Sequence, residues 1–152
     1  MGILTDYFAA PDDARAAVAA HPGPSAPDPL TSQPGFATVE LTGIDPFVVL
    51  GSLASLLTGR PYREVTADAR HGSLVASAGD EGPWVVSVTD TLVGALAGST
   101  PAALEQVAVR WSATDELAGS DPAALAQALH RLAALCVRAD DAGHRVYCWT
   151  SL

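Results

Sequence analysis

The chain has 152 residues, 49% of them hydrophobic and 16% charged, which is enough apolar material for one folded domain (1–152) and too much for a disordered one. Its net charge is −9 and its eight basic residues are all arginine, a balance that repels phosphate backbones and argues against nucleic acid as the main partner. The longest apolar stretch, residues 47–57, is interrupted by Gly51, Ser52 and Ser55 and falls short of the ~20 residues that span a bilayer. No basic segment precedes an apolar one near the start, so a cytoplasmic protein without a membrane partner is expected.

In chain order, residues 3–9 read as a short strand carrying the aromatic pair Tyr7 and Phe8. Pro11, Asp12 and Asp13 then mark a helix start, and Pro22-Gly23 stops that helix after His21. Residues 22–35 hold five of the 11 prolines and show no periodic apolar face, which predicts an extended loop of polyproline character, either a binding loop or an insertion. Residues 36–41 alternate as a half-buried strand does. Asp45-Pro46 opens a helix that Gly59 ends after Thr58, and its apolar residues cover most of its circumference. A helix of that kind is expected at the centre of the core.

Residues 60–71 read as a polar connector, and 74–78 with 84–88 as a hairpin across Gly79-Asp80-Glu81-Gly82. Asp90 suits the cap of a short helix over 91–97, and Thr100-Pro101 starts another that reaches about Ala113. Asp121-Pro122 opens a long last helix with an apolar stripe through Leu125, Leu129, Leu132, Cys136 and Ala139. Gly143 stops it, and residues 145–150 close the chain as a strand apolar on both faces, hence interior to the sheet. The fold class expected is α+β: one mixed-sheet domain, a buried central helix, and a long C-terminal helix followed by a closing strand.

Chemistry is sparsely announced. His21, His71, His130 and His144 fall on separate elements, at no spacing that sets two zinc ligands on one face. Cys136 and Cys148 form no C-x-x-C pair and are expected as reduced core thiols. Nucleophile elbows and glycine-rich phosphate cradles are missing, and without lysine a Walker motif is impossible; no cofactor is expected. Adjacent acids, such as Asp140 and Asp141, sit at helix ends or turns where a structural role suffices. One cluster stands out: Arg60, Tyr62, Arg63, Arg70 and His71 concentrate positive charge in an acidic chain. Forked guanidinium groups recognise carboxylates and phosphates, so these five form a candidate anion site. The alternative is that they pair with Glu64, Asp68 and other acids of the same chain. Trp111, beside Arg110 near a helix end, is the tryptophan expected to be exposed, as a candidate interface residue.

Three stretches, MGILTDYFAA (1–10), TGIDPFVVLGSLASLLTGR (42–60) and LHRLAALCVRADDAGHRVYCW (129–149), resemble the YfbM-like family of uncharacterised bacterial proteins, a domain of unknown function. With PWVVSVTDTLVGALAG (83–98) they cover about half the chain. The resemblance implies a mixed α/β domain, no established activity and no functional residue to carry over.

The reading that follows is a non-enzymatic protein acting by protein–protein contact, immunity- or inhibitor-like toward a basic partner, with a homodimer as a further arrangement. The alternative is a small-molecule domain or enzyme holding an anion around Arg60–His71.

Overall fold

In the computed structural model, which describes residues 2–152, five strands lie in one sheet: β1 (Leu4–Ala10), β2 (Thr38–Glu40), β3 (Leu74–Ser77), β4 (Trp84–Ser87) and β5 (Arg145–Ser151). Their order is β2-β1-β5-β4-β3, so the closing strand β5 is the middle one, as its two apolar faces require. The α+β class stands, but every pairing is antiparallel, and the sheet is not mixed. The helical passage from β2 to β3 joins opposite edges, and the passage from β4 to β5 returns antiparallel, so no two neighbours run the same way.

Six α-helices accompany the sheet: α1 (Asp13–Ala17), α2 (Val48–Thr58), α3 (Tyr62–Thr66), α4 (Asp90–Ala97), α5 (Pro101–Ser112) and α6 (Pro122–Ala142). Strand alternation sends Tyr7, Val86, Val146 and Cys148 to one face, where they pack with Leu50, Leu53, Leu96, Leu129 and Leu132 of the larger helices. It sends Phe8, Val85 and Tyr147 to the other, under Ala16 of α1 and Ala19 and Ala20 of the 3-10 turn that follows. Phe36 closes that face by meeting Phe8 edge-on at 5.1 Å, and Trp149 donates its indole N–H to the carbonyl of Ala20 at 3.2 Å.

Helix ends follow local chemistry closely. Thr100 and Asp121 cap α5 and α6 just before their first-position prolines, and Gly59 and Gly143 end α2 and α6 at positive φ. At α4 the cap is Thr89, whose hydroxyl accepts from the N–H of Leu92, and Asp90 is the first helical residue. The connector 60–71 contains the short α3, which sequence periodicity misses because only Val65 of its five residues is buried. The proline-rich segment is less extended than expected. Pro27 bridges Pro34, and Asp28 closes the turn between them, bonding Gln33 through its backbone and Leu30 through its carboxylate.

Two expectations about burial change. α2 is the central helix along Val49, Leu50, Leu53 and Ala54, yet Phe47 and Val48 at its start are 44% and 42% exposed. Its all-round apolarity therefore serves two surfaces. Trp111, expected at an interface, is instead 1% exposed. It faces inward from α5 and donates its indole N–H to the carbonyl of Val49 at 3.1 Å, which satisfies the one polar atom its burial would strand. Cys136 and Cys148 are buried, unpaired thiols; burial pushes Cys136 up to about 12 and Cys148 upward as well, so neither is a ready nucleophile.

Replacing Trp111 by Phe keeps most of the ring volume and removes the bond to Val49. A loss of about 1–2 kcal/mol in urea unfolding is expected, and an unchanged midpoint would show that this hydrogen bond contributes nothing.

Candidate functional site

The five residues of the arginine-rich cluster are not gathered into one site. Arg70 turns toward the sheet face under α1 and meets Asp13 with both ends of its fork, at 3.0 and 3.2 Å. The Tyr147 hydroxyl donates to the same carboxylate at 2.7 Å, and the guanidinium lies 5.7 Å from the Tyr147 ring. Arg60 borders a small recess with Glu64 and Asp68, which none of the other four joins. Arg63 is exposed and makes no ion pair among the described residues. Tyr62 and His71 do come together, both lying against Gly51 of α2, where an added Cβ would stand 2.9 and 3.3 Å from their rings. Among the described residues, no group of three His, Cys, Asp or Glu side chains is placed to hold a metal ion.

His71 leads to a different feature. Its Nε2–H donates to the carbonyl of Phe47 at 2.9 Å, and the next residue, Gly72, sits directly beneath the Phe47 ring. Gly72 has φ +57, and a Cβ there would stand 2.5 Å from that ring, so only glycine fits both the backbone turn and the aromatic seat. Phe47 is thus pinned from below while 44% of it stays exposed. It forms one wall of a groove of ≈ 470 Å³ between the start of α2 and the β3–β4 end of the sheet.

The opposite wall is Leu74 of β3 with Trp84 and Val86 of β4, and Ile3, Val48 and Leu152 complete the apolar rim. Five of these residues, Ile3, Phe47, Val48, Leu74 and Leu152, are large hydrophobics left 40–76% exposed. Scattered exposed apolar residues are normal on a protein surface; five around one concavity form a contiguous apolar patch. Among the described residues of the lining, Asp45 has the only ionisable side chain. Its carboxylate accepts from the N–H groups of Phe47 and Val48 at 2.8 and 2.7 Å, and so begins α2 and shapes the groove together. Sequence reading placed Phe47 in the core. The available signal was that α2 carries more apolar surface than one buried face uses.

The Asp13–Arg70–Tyr147 cluster ties α1 to the loop before β3 and to the central strand. The bond to Arg70, then that to Tyr147, holds the Asp13 carboxyl below its usual range. Burial first, and the neighbouring carboxylate second, raise the Tyr147 hydroxyl, and Asp13 holds Arg70 upward. Asp6 shifts the other way: burial, and Glu40 opposite it across the β1–β2 pair, raise its carboxyl.

Compared with protein-family models, with curated proteins and with solved structures, the chain matches none.

The charge cluster has a pH dependence of defined sign. The folded state holds the Asp13 proton less tightly than the unfolded chain, so the stabilisation is complete above the unfolded value of about 4 and is lost as pH falls through the lower folded value. Protonation of Asp6 acts oppositely and stabilises on acidification. Asp13→Asn is expected to cost about 1 kcal/mol at neutral pH, the carboxylate being half exposed and screened, and to flatten the loss of stability below about pH 4. Urea titrations across that range check it; parallel acid limbs for the two proteins would assign the loss elsewhere.

Proposed function

We propose that this protein is a non-enzymatic, intracellular contact protein, immunity- or inhibitor-like, whose α2–β3–β4 groove receives apolar side chains of a basic partner protein. The observation that carries the reading is the exposed apolar lining around Phe47 and Leu74, with Asp45 as its one ionisable side chain among the described residues. Both oxygens of that carboxylate accept from backbone N–H groups at the start of α2, so it serves to begin the helix.

Magnitudes favour a charged partner. Withdrawing one large aliphatic side chain from water yields ~1.5–3 kcal/mol, so two or three seated in the groove supply ~3–9. Association costs ~4–15 kcal/mol in lost freedom, so apolar filling alone leaves a weak complex. The −9 charge supplies the complement: it attracts a basic partner and raises the encounter rate. Buried, unpaired Cys136 and Cys148 suit a reducing compartment. The resemblance to the YfbM-like domains adds no functional residue to this reading.

The test is co-purification from the native host at low salt, then titration of the recovered protein against wild-type chain and Leu74→Glu. Leu74 is 66% exposed, so this change leaves the fold intact. A stoichiometric basic partner whose affinity falls at least tenfold with Leu74→Glu, and falls again with salt, is the expected result. Failure to recover such a partner, or equal binding by the variant, overturns the proposal. So does a homodimer in sedimentation that Leu74→Glu dissociates, since a second copy would then fill the groove.

A further inference from the structure

Seventeen acidic residues outnumber eight arginines, yet six of the arginines make no ion pair among the described residues. Arg70 and Arg145 are engaged, with Asp13 and Asp90. Arg15 of α1 and Arg138 of α6 make no ion pair among the described residues, although 123 positions of sequence separate them and both line one cleft of ≈ 370 Å³. His144, in the turn between α6 and β5, lines it too, and no acidic residue does. Its apolar lining includes Ala9, Phe36, Ala37 and Ala139. Arg15 lies over the Phe36 ring at 4.9 Å, and that stacking holds the long side chain at the cleft while leaving its donors unspent.

The cleft continues into a second hollow of ≈ 400 Å³ that shares Phe36, Ala37 and Arg138. Here the lining is polar: Ser25, Gln33, Thr38 and Glu40. Ser25, Gln33 and Gly35 belong to the proline-rich segment, whose self-closed turn gives the hollow a shaped wall. Arg15, Arg138 and His144 thus line the cleft, and Arg138 also borders the hollow with its amide, hydroxyls and the Glu40 carboxylate. A ligand fitting both has a doubly charged oxyanion at one end and hydroxyl groups along its body, the latter able to donate to Glu40.

We propose that the Arg15–Arg138–His144 cleft is a binding site for the phosphate monoester of a small polyhydroxylated molecule. Two forked guanidinium groups match the charge and the several acceptor oxygens of a phosphate dianion. The volume falls within the ~300–1,000 Å³ of small-molecule sites. This cleft is distinct from the apolar groove, shares no lining residue with it, and does not depend on the partner proposed there.

Calorimetric titration of the full chain with ribose 5-phosphate, with ribose and inorganic phosphate as separate probes, tests the assignment. Arg15→Gln and Arg138→Gln keep exposed, neutral side chains of similar shape, and Arg63→Gln alters charge outside the cleft. Expected are saturable one-site binding of ribose 5-phosphate, weaker binding of phosphate, none of ribose, and an affinity about tenfold lower in each cleft variant but unchanged in Arg63→Gln. Near-UV circular dichroism confirms that the variants keep the fold. Absence of saturable binding overturns the proposal, as does equal binding by both cleft variants, or an equal loss in Arg63→Gln that would mark it as general charge attraction.

Discussion

Tyr147 and Cys148 are neighbours on β5, point to opposite faces of the sheet, and are both fully withdrawn from water. A middle strand of this kind cannot fold with one face wet, and the remaining architecture answers that requirement. On the Cys148 side, the larger helices bring leucines against Val146 and Tyr7. On the Tyr147 side there is far less chain to use, so α1, its following turn and Phe36 form a thin cover of alanines and one aromatic ring. A thin cover buries little area, and at roughly 25 cal/mol per Å² it stabilises correspondingly little. The Asp13–Arg70–Tyr147 cluster reinforces this side, fastening α1 to the central strand and to the loop before β3.

The same layering explains where the arginines go. Arg70 and Arg145 lie near that end of the sheet and meet Asp13 and Asp90, which stand at the starts of α1 and α4. Carboxylates at helix starts are stabilised by the backbone N–H groups there, so these pairs are anchored at one end by the helices themselves. Arg15 and Arg138, like the remaining arginines, have no such counterpart among the described residues, and alanines line the cleft they border. In a chain of net charge −9, this cleft is lined by two arginines and a histidine with no acid among its described lining residues.

α2 reconciles two roles in one sequence. Leu50 and Leu53 supply core, while Phe47 and Val48, one turn earlier, face outward over the groove. Asp45 begins the helix, Gly72 leaves room for the Phe47 ring, and His71 holds the Phe47 carbonyl. These polar and small residues need no contact with a ligand to matter, since each sets where an exposed aromatic wall stands. His71 was legible as a notable residue, and in the fold its Nε2–H is engaged by the Phe47 carbonyl.

Much of the fold was readable because its determinants are local. Caps at Thr100 and Asp121, glycine stops at Gly59 and Gly143, and the two apolar faces of residues 145–150 act within a few residues of themselves, so α5, α6 and the interior place of β5 follow from sequence order. The inward turn of Trp111, the antiparallel pairing throughout, and the separation of Arg70 from Arg60 were not readable, since each depends on which distant element arrives alongside. The candidate sites belong to that second kind. Arg15, Phe36, Arg138 and His144 are unremarkable in the chain, and so are Leu74 and Trp84. Composition and local pattern are sufficient for an acidic α+β domain with a two-faced closing strand and a helix more apolar than one buried face uses. Which apolar residues stay outside the core, and which arginines find an acid, follows from the folded arrangement, because burial and ion pairing are settled by contacts between residues far apart in the chain.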